Sequence, residues 1–501
     1  MTLGEGITGG LRSSGSIPAG GVRESRSSIP AAGPQAEMAN LLARMKMAQR
    51  KSGAPDYDTR IAHLDKLERT LLARKADIAK AVSMDFGNRS KHETYGAEIM
   101  TIVNEIKHAR THLHEWMETE PREIHWSFMP ARAEVIMQPL GVIGIMAPWN
   151  YPVNLALAPL VGALAAGNRA MIKPSELAGD TAELLKTIIT ETFAPDHVAV
   201  VTGGLDIAQA FSLLPFDHLV FTGSTAVGKI VMKAAAENLT PVTLELGGKS
   251  PVIVGEGYSL SQAAQKVMFA KMYNAGQTCI APDYAILPKG KVDAFVEECR
   301  LAAQSMYPTL ASNPDYTTII NDKQYSRLLA YLHDARNRGA KVVELNTGKE
   351  EIDPNTRKMA PTIVLHAKDD MLVMQEEIFG PILPIRTYET LDEAIAYVND
   401  HPRPLALYYF DDDQKRVDKV LRETVSGGVT VNDCLLHFAQ DDLPFGGVGH
   451  SGIGHYHGRE GFETFTKKKP VVYQSRLSAL KFLRPPYKDR IEKVFRLLLG
   501  K

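Results

Sequence analysis

The apolar positions along the chain set the first expectations. Ile61, Leu64, Leu67 and Leu71 recur at the spacing of one helix face. Ser90 and Glu93 stand at capping-box spacing ahead of a second helical stretch that runs to Trp116. Between about Pro121 and Gln138 the pattern changes: Ala133, Val135 and Met137 alternate with polar residues among Arg and Glu. This predicts a hairpin that leaves the core to meet a partner subunit. From Leu140 onward short apolar runs alternate with helical stretches. Leu140–Ala147, Arg169–Ile172, Val198–Val201, His218–Phe221 and Val242–Leu246 read as strands. Val153–Ala166, Thr181–Phe193, Ala208–Leu213 and Val227–Glu237 read as helices between them. Such alternation implies an α/β fold whose parallel sheet is covered on both faces. It continues beyond Ser250, so a second α/β domain is expected.

The two ends differ from this. Residues 1–34 are rich in Gly, Ser, Pro and Ala without periodicity and read as a disordered tail. Arg12, Arg23 and Arg26 among serines hint at a transit peptide, but Glu5, Glu24 and the lack of an amphipathic stripe argue against it. Near the other end, Lys467, Lys468 and Lys469 precede a strand-like Val471–Tyr473. Arg484-Pro-Pro-Tyr487 then breaks the chain before a short helix with Ile491, Val494, Phe495 and Leu498 on one face. That helix is expected to dock on its own domain or on a partner. Its Leu497–Leu499 run is too short for a membrane anchor.

Composition narrows the classes. A chain of 501 residues calls for two or three domains. Hydrophobic residues at 44% and charged residues at 23% are ordinary for a globular protein. A net charge of −1 offers no field to draw in nucleic acid or an anionic membrane. With only Cys279, Cys299 and Cys434, the chain is no disulfide scaffold, and a reducing, cytoplasmic setting is expected. No apolar run approaches the roughly 20 residues of a membrane span, and no metal-ligand motif stands out.

Six segments carry candidate chemistry. Asn274-Ala-Gly-Gln-Thr-Cys279 follows a helix over 262–273. A thiol on such a turn is either an exposed nucleophile or a buried inert cysteine. Cys299 fits the inert case, since it shares a helix face with Val292, Phe295 and Val296. In Thr243-Leu-Glu-Leu-Gly-Gly-Lys249 a carboxylate, Glu245, ends an apolar strand. Apolar surroundings raise a carboxyl pKa and suit a general base, whereas an edge-strand glutamate would simply face water. In Pro148-Trp-Asn-Tyr-Pro152 the Asn150 amide is held between prolines. It can donate to an oxyanion or merely shape an Asx turn. Phe221-Thr-Gly-Ser-Thr-Ala-Val-Gly228 opens a helix after a strand. Its Gly223, Ser224 and Gly228 suit a phosphate, although Thr225 departs from the common G-x-G-x-x-G run. Lys173-Pro-Ser-Glu176 offers an ammonium and a carboxylate for the ribose hydroxyls of a dinucleotide, or a capping pair around Ser175. Glu376-Glu-Ile-Phe-Gly-Pro381 is a loop of fixed shape that says little alone.

Taken together and in this order, the six segments resemble the aldehyde dehydrogenase superfamily over about residues 40–490. Leu443-Pro-Phe-Gly-Gly-Val-Gly-His-Ser-Gly452, Tyr456-His-Gly-Arg-Glu-Gly-Phe-Glu-Thr-Phe465 and Arg484-Pro-Pro-Tyr487 look like its class 3 branch. Asn432-Asp-Cys-Leu-Leu-His437 is similar to the bacterial coniferyl aldehyde dehydrogenases of that branch. The resemblance implies a Rossmann-type NAD-binding domain over 35–245, with an excursion at 121–138 to an oligomerisation region. It implies a second α/β catalytic domain over 246–450 and a bridging segment over 451–501. It makes Cys279 the nucleophile and Glu245 the general base. Asn150 and the Cys279 backbone N–H would form the oxyanion hole. Lys173 and Glu176 would bind the adenosine ribose, Ser224 the pyrophosphate and Glu377 the nicotinamide ribose, with Phe379 beside the ring. The implied cofactor is NAD, with NADP also accepted. The implied partners are a small aldehyde and a second subunit in a homodimer. The tail before residue 35 is longer than usual for the branch, and the hydrophobic C-terminal anchor of fatty-aldehyde members is missing. Within the enzyme class, an acylating dehydrogenase that passes its thioester to coenzyme A would not need Glu245. An aliphatic aldehyde dehydrogenase of the same branch stays open. A structural protein on a dead enzyme fold would have lost Cys279 or Glu245.

Overall fold

A computed structural model describes residues 33–476, 484–487 and 489–500. The expected N-terminal tail therefore lies, up to residue 32, outside the described residues, as do the side chains of Val494 and Leu498. β1 (Glu120–Arg122) and β2 (Arg132–Pro139) form the hairpin, and β3 (Val142–Met146) follows. Then come β4 (Arg169–Lys173), β5 (Val198–Val200), β6 (His218–Gly223) and β7 (Val242–Leu246). The second group is β8 (Pro251–Val254), β9 (Tyr284–Pro288), β10 (Lys341–Glu344), β11 (Thr362–Leu365), β12 (Ile382–Tyr388), β13 (Ala406–Phe410) and β14 (Gly428–Val431). β15 (Gly452–Ile453) and β16 (Thr466–Tyr473) return to the earlier strands.

Three sheets result, in the orders β1-β2-β16, β15-β7-β6-β3-β4-β5 and β10-β11-β12-β9-β8-β13-β14. Strand period explains how the large sheets are covered. In the six-stranded sheet Ile143, Ile145, Ala170, Ile172 and Val220 point to one core, packed by the helices Tyr57–Ala73, Thr101–Trp116 and Asn154–Ala165. Their neighbours Val142, Met146, Met171, Leu219 and Phe221 point to the other, with Met38, Leu42 and Met45 of the helix Pro34–Ser52. The seven-stranded sheet alternates likewise: Val252, Val254, Tyr408 and Phe410 face one core, Ile253, Leu407 and Tyr409 the other. Burial on both faces is why these strands read as continuous apolar runs.

Two local expectations change. Ser90 does cap the next helix, accepting from the His92 N–H. Glu93, however, does not complete a capping box. It is buried, and its carboxylate accepts from the Asn274 N–H at 3.1 Å and the Thr317 hydroxyl at 2.6 Å. The hairpin at 120–139 forms as expected, and β16 extends it to three strands by pairing with β2 along its length.

Candidate active site

The parallel strands end level. Met146 lies beside both Lys173 and Phe221, and Phe221 beside Leu244. The segments after β3, β4 and β6, and Glu245 in β7, therefore meet along one edge, the carboxyl edge where α/β sheets hold ligands. Asn150, Gly223, Ser224, Glu245, Cys279, Glu377 and Phe379 line a single cleft of about 310 Å³ there. Trp149, Thr222 and Arg327 complete its walls.

The loop before Cys279 is unusual. Asn274, Ala275 and Gly276 all have positive φ (52°, 50° and 73°), a run that L residues avoid. Side chains hold it in place. The Gln277 amide donates to the carbonyls of Asn274 and Thr318, each at 3.0 Å, and accepts from the Ile320 N–H at 2.9 Å. The Glu93 carboxylate fixes the Asn274 N–H. A Cβ on Gly276 would run into the Gly380 carbonyl. The strain buys an abrupt reversal that brings Cys279, half-buried, to the cleft wall. Burial, then the nearby Glu377 and Glu245 carboxylates, push its thiol up to about 12.

Asn150 sits in the same lattice. Its side-chain N–H donates to the Gln277 carbonyl at 3.2 Å, and its own carbonyl accepts from the Asn274 amide at 3.2 Å. The amide carries a second N–H beyond that bond. Arg89, wholly buried, donates to the Asn150 carbonyl and the Glu98 carboxylate, each at 2.9 Å. Glu98 in turn accepts from the Val153 and Asn154 N–H groups. Sequence reasoning missed this Arg89–Glu98 clamp, because a lone arginine just before the Ser90 cap and a lone glutamate in the helical stretch after it both look solvated.

Glu245 is 2% exposed, and neither carboxylate oxygen has a hydrogen-bond partner among the described residues. Burial alone raises its carboxyl well above the ordinary 4.5. In the same cleft Glu377 is raised to about 8, by burial first and then by Asp283. Gly247 leaves the room that the Glu377 carboxylate occupies, since a Cβ there would displace it. Phe379 packs edge-on against Trp149, ring centres 5.4 Å apart.

Lys173 and Glu176 do not line this cleft. Lys173 is buried at the end of β4 and donates to the Pro174 carbonyl at 2.7 Å, with Glu176 at 3.8 Å. Glu176 lines an adjoining groove of about 500 Å³ with Ser175 and Gly203. Ser224 is the N-cap of the helix Thr225–Ala236, accepting from the Val227 N–H. Gly228 lies inside that helix, where a Cβ would stand 2.6 Å from Leu246. It lets the helix pack close on β7.

Cys279 and Phe438 both pack against a buried core cluster that includes Tyr408, Phe445 and Tyr456. Ring contacts join His437 to Tyr408 and Phe445, and His457 to Phe438 and Tyr456. Among the described residues no His, Cys, Asp and Glu cluster suits a metal ion, and no helix is long and apolar enough to cross a membrane.

Known proteins match this chain along most of its length. A probable coniferyl aldehyde dehydrogenase of Pseudomonas aeruginosa is 50% identical over 91% of this chain and 94% of its own. The coniferyl aldehyde dehydrogenase of a Pseudomonas species is 48% identical over 93% and 96%. A solved structure of Staphylococcus aureus AldH in a substrate-bound state superposes with a TM-score of 0.87 at 39% identity, covering 92% of this chain and 99% of that one. The profile of the Aldehyde dehydrogenase family matches residues 23–471, and the chain belongs to that family.

Proposed function

We propose that this enzyme oxidises an aromatic aldehyde of the coniferyl type to its acid, using NAD. The observation that carries the reading is the meeting of Cys279, Glu245 and Asn150 in one cleft that Trp149 and Phe379 also line. Two relatives near half identity are named for coniferyl aldehyde.

The residues fit a dinucleotide. The helix Thr225–Ala236 presents its N-terminus at Gly223 and Ser224, where backbone N–H groups favour a pyrophosphate, and Gly228 lets that helix approach β7. Lys173 and Glu176 stand one strand beyond β3 for the adenosine ribose. Glu377 and Phe379 face Cys279 for the nicotinamide half. When bound, the dinucleotide supplies the hydride acceptor. A carboxylate at Glu176 disfavours a 2′-phosphate, so NAD is preferred and NADP tolerated.

Cys279 adds to the aldehyde carbon as its thiolate, and the Asn150 amide with the Cys279 N–H stabilises the oxyanion. After hydride loss a thioester remains on Cys279. Glu245 takes a proton from water, which adds to the acyl carbon and releases the acid. We assign residues 35–245 to the NAD-binding domain, 246–450 to the catalytic domain and 451–501 to the bridging segment. A homodimer is favoured by the exposed three-stranded sheet and the turn that joins β1 to β2, where Val472 and Trp126 are 64% and 65% exposed. A cytoplasmic setting fits three free cysteines.

The test is one spectrophotometric panel of NADH and NADPH formation with coniferaldehyde, benzaldehyde, octanal and succinic semialdehyde. Coniferaldehyde is expected to give the highest kcat/KM. A preference of roughly tenfold for octanal, about 1.4 kcal/mol of transition-state binding, would move the assignment to aliphatic aldehydes.

A further inference from the structure

A buried base must exchange its proton with solvent in every turnover, yet neither oxygen of Glu245 has a protein partner among the described residues. Buried polar groups continue from it towards the surface. β15 sets Gly452 directly opposite Glu245. Four residues on, Tyr456 is 1% exposed and its hydroxyl is also unpartnered. Its ring is held by Phe445 and His457. The chain then rests at Gly458 on the helix Thr101–Trp116, where a Cβ would stand 3.6 Å from His108 Nε2. One turn before His108 on that helix is Glu105, 6% exposed. A carboxyl on a packed helix face is costly to keep, and a leucine there would be cheaper. Burial and then Asp441 raise its carboxyl well above the ordinary range, with no hydrogen bond to offset them. The Tyr456 hydroxyl is raised by burial and next by Glu245, Glu105 and Cys279, in that order. Tyr456 therefore stands within electrostatic reach of both carboxyls. Past Glu105, His108 reaches Asp442 at 3.4 Å, and the Asp442 side chain is 86% exposed.

We propose that Tyr456 and Glu105 form the proton exit of this enzyme, linking Glu245 to solvent at His108 and Asp442. The inference rests on Glu245 being the deacylation base. In that step the water oxygen bonds to the acyl carbon, the carbon–sulfur bond breaks and Cys279 leaves as thiolate. The water proton sits on Glu245. By way of a water molecule in the seam it passes to the Tyr456 hydroxyl, which gives its own proton to Glu105. Glu105 hands one on to His108 and Asp442. Tyr456 and Glu105 end the cycle in the states in which they began it. The same path empties Glu245 before each hydrolysis.

Glu105→Gln keeps shape and removes the relay. Its NADH burst, followed by rapid mixing, is expected to keep the amplitude of the parent enzyme. Later turnover should slow by roughly tenfold or more, as when a proton-transfer group is lost. The solvent deuterium isotope effect on turnover should rise, and imidazole in the buffer should restore part of the turnover of Glu105→Ala. A merely structural role moves neither of these last two readouts. Turnover of Glu105→Gln within twofold of the parent would overturn the proposal. So would a joint fall of burst and turnover with no imidazole rescue. Parent-like turnover in Glu245→Gln would instead remove the base assignment on which the path depends, so the two failures are distinct.

Discussion

Replacing Glu245 by Gln isolates one function of a group that has almost no structural ties. The side chain is 2% exposed and makes no hydrogen bond among the described residues, and burial raises its carboxyl well above the ordinary range. Gln matches its size and carries no charge into the buried site, so the fold has little to lose. Thiohemiacetal formation and hydride departure need no water-activating base, whereas thioester hydrolysis does. Loss of a general base slows its step by about 10²–10⁴, or about 3–5 kcal/mol of barrier. The variant should therefore release up to one NADH per active site and then stall as an acyl enzyme. Rapid-mixing absorbance with intact-mass detection of the adduct reads both. A linked effect on stability carries the opposite sign. A carboxyl whose folded pKa is raised above the ordinary 4.5 is neutral in the native state while the unfolded chain ionises. Its penalty is absent below pH 4.5 and grows as pH rises towards the folded value. Glu245→Gln should thus melt at an equal or higher temperature than the parent at pH 8, with the smaller difference at pH 4. Steady turnover near the parent rate would refute the catalytic argument, and a large loss of melting temperature at pH 8 would refute the structural one.

Other outcomes follow from the same geometry. Cys279→Ala should bind NAD and melt like the parent but yield no NADH burst in rapid mixing. With the thiol at about 12 in the ligand-free enzyme, inactivation by iodoacetamide should rise about tenfold per pH unit across pH 7–10; a plateau below pH 9 would contradict this. Glu176→Gln should raise NADP use relative to NAD, read as the ratio of kcat/KM values; an unchanged ratio removes the ribose role. Glu93→Ala orphans the buried Asn274 N–H and the Thr317 hydroxyl. It should cost about 2–6 kcal/mol in chemical denaturation, at about 1–3 kcal/mol per orphaned group, and lower kcat by disturbing the Asn274–Gly276 turn.

The strands and helices of 140–246 were legible because a sheet buried on both faces writes uninterrupted apolar runs between amphipathic helices. Positions that act locally were legible too, such as Ser90 at its cap and Ser224 at the start of its helix. Long-range use was not. Glu93 had the spacing of a capping box, but it serves a loop 181 residues away. Glu98 and Glu105 carry charges on helical stretches and Arg89 stands just before one, and local pattern assigns all three to solvent. Gly228 looked like a phosphate glycine, yet its missing side chain makes room for Leu246. Val471–Tyr473 was readable as a strand, but nothing local names β2 as its partner.

That return of the chain has a consequence for its birth. β7 gains its outer neighbour only when Gly452 and Ile453 reach it, and β2 gains β16 only after residue 466. A ribosome adds about 5–20 residues per second, so roughly 200 residues pass in about 10–40 s. Through that interval β7 is an open edge, able to pair with another nascent chain. Fragments ending before residue 452 are expected to aggregate rather than fold, and yields in a heterologous host should respond to chaperone supply and to slower synthesis.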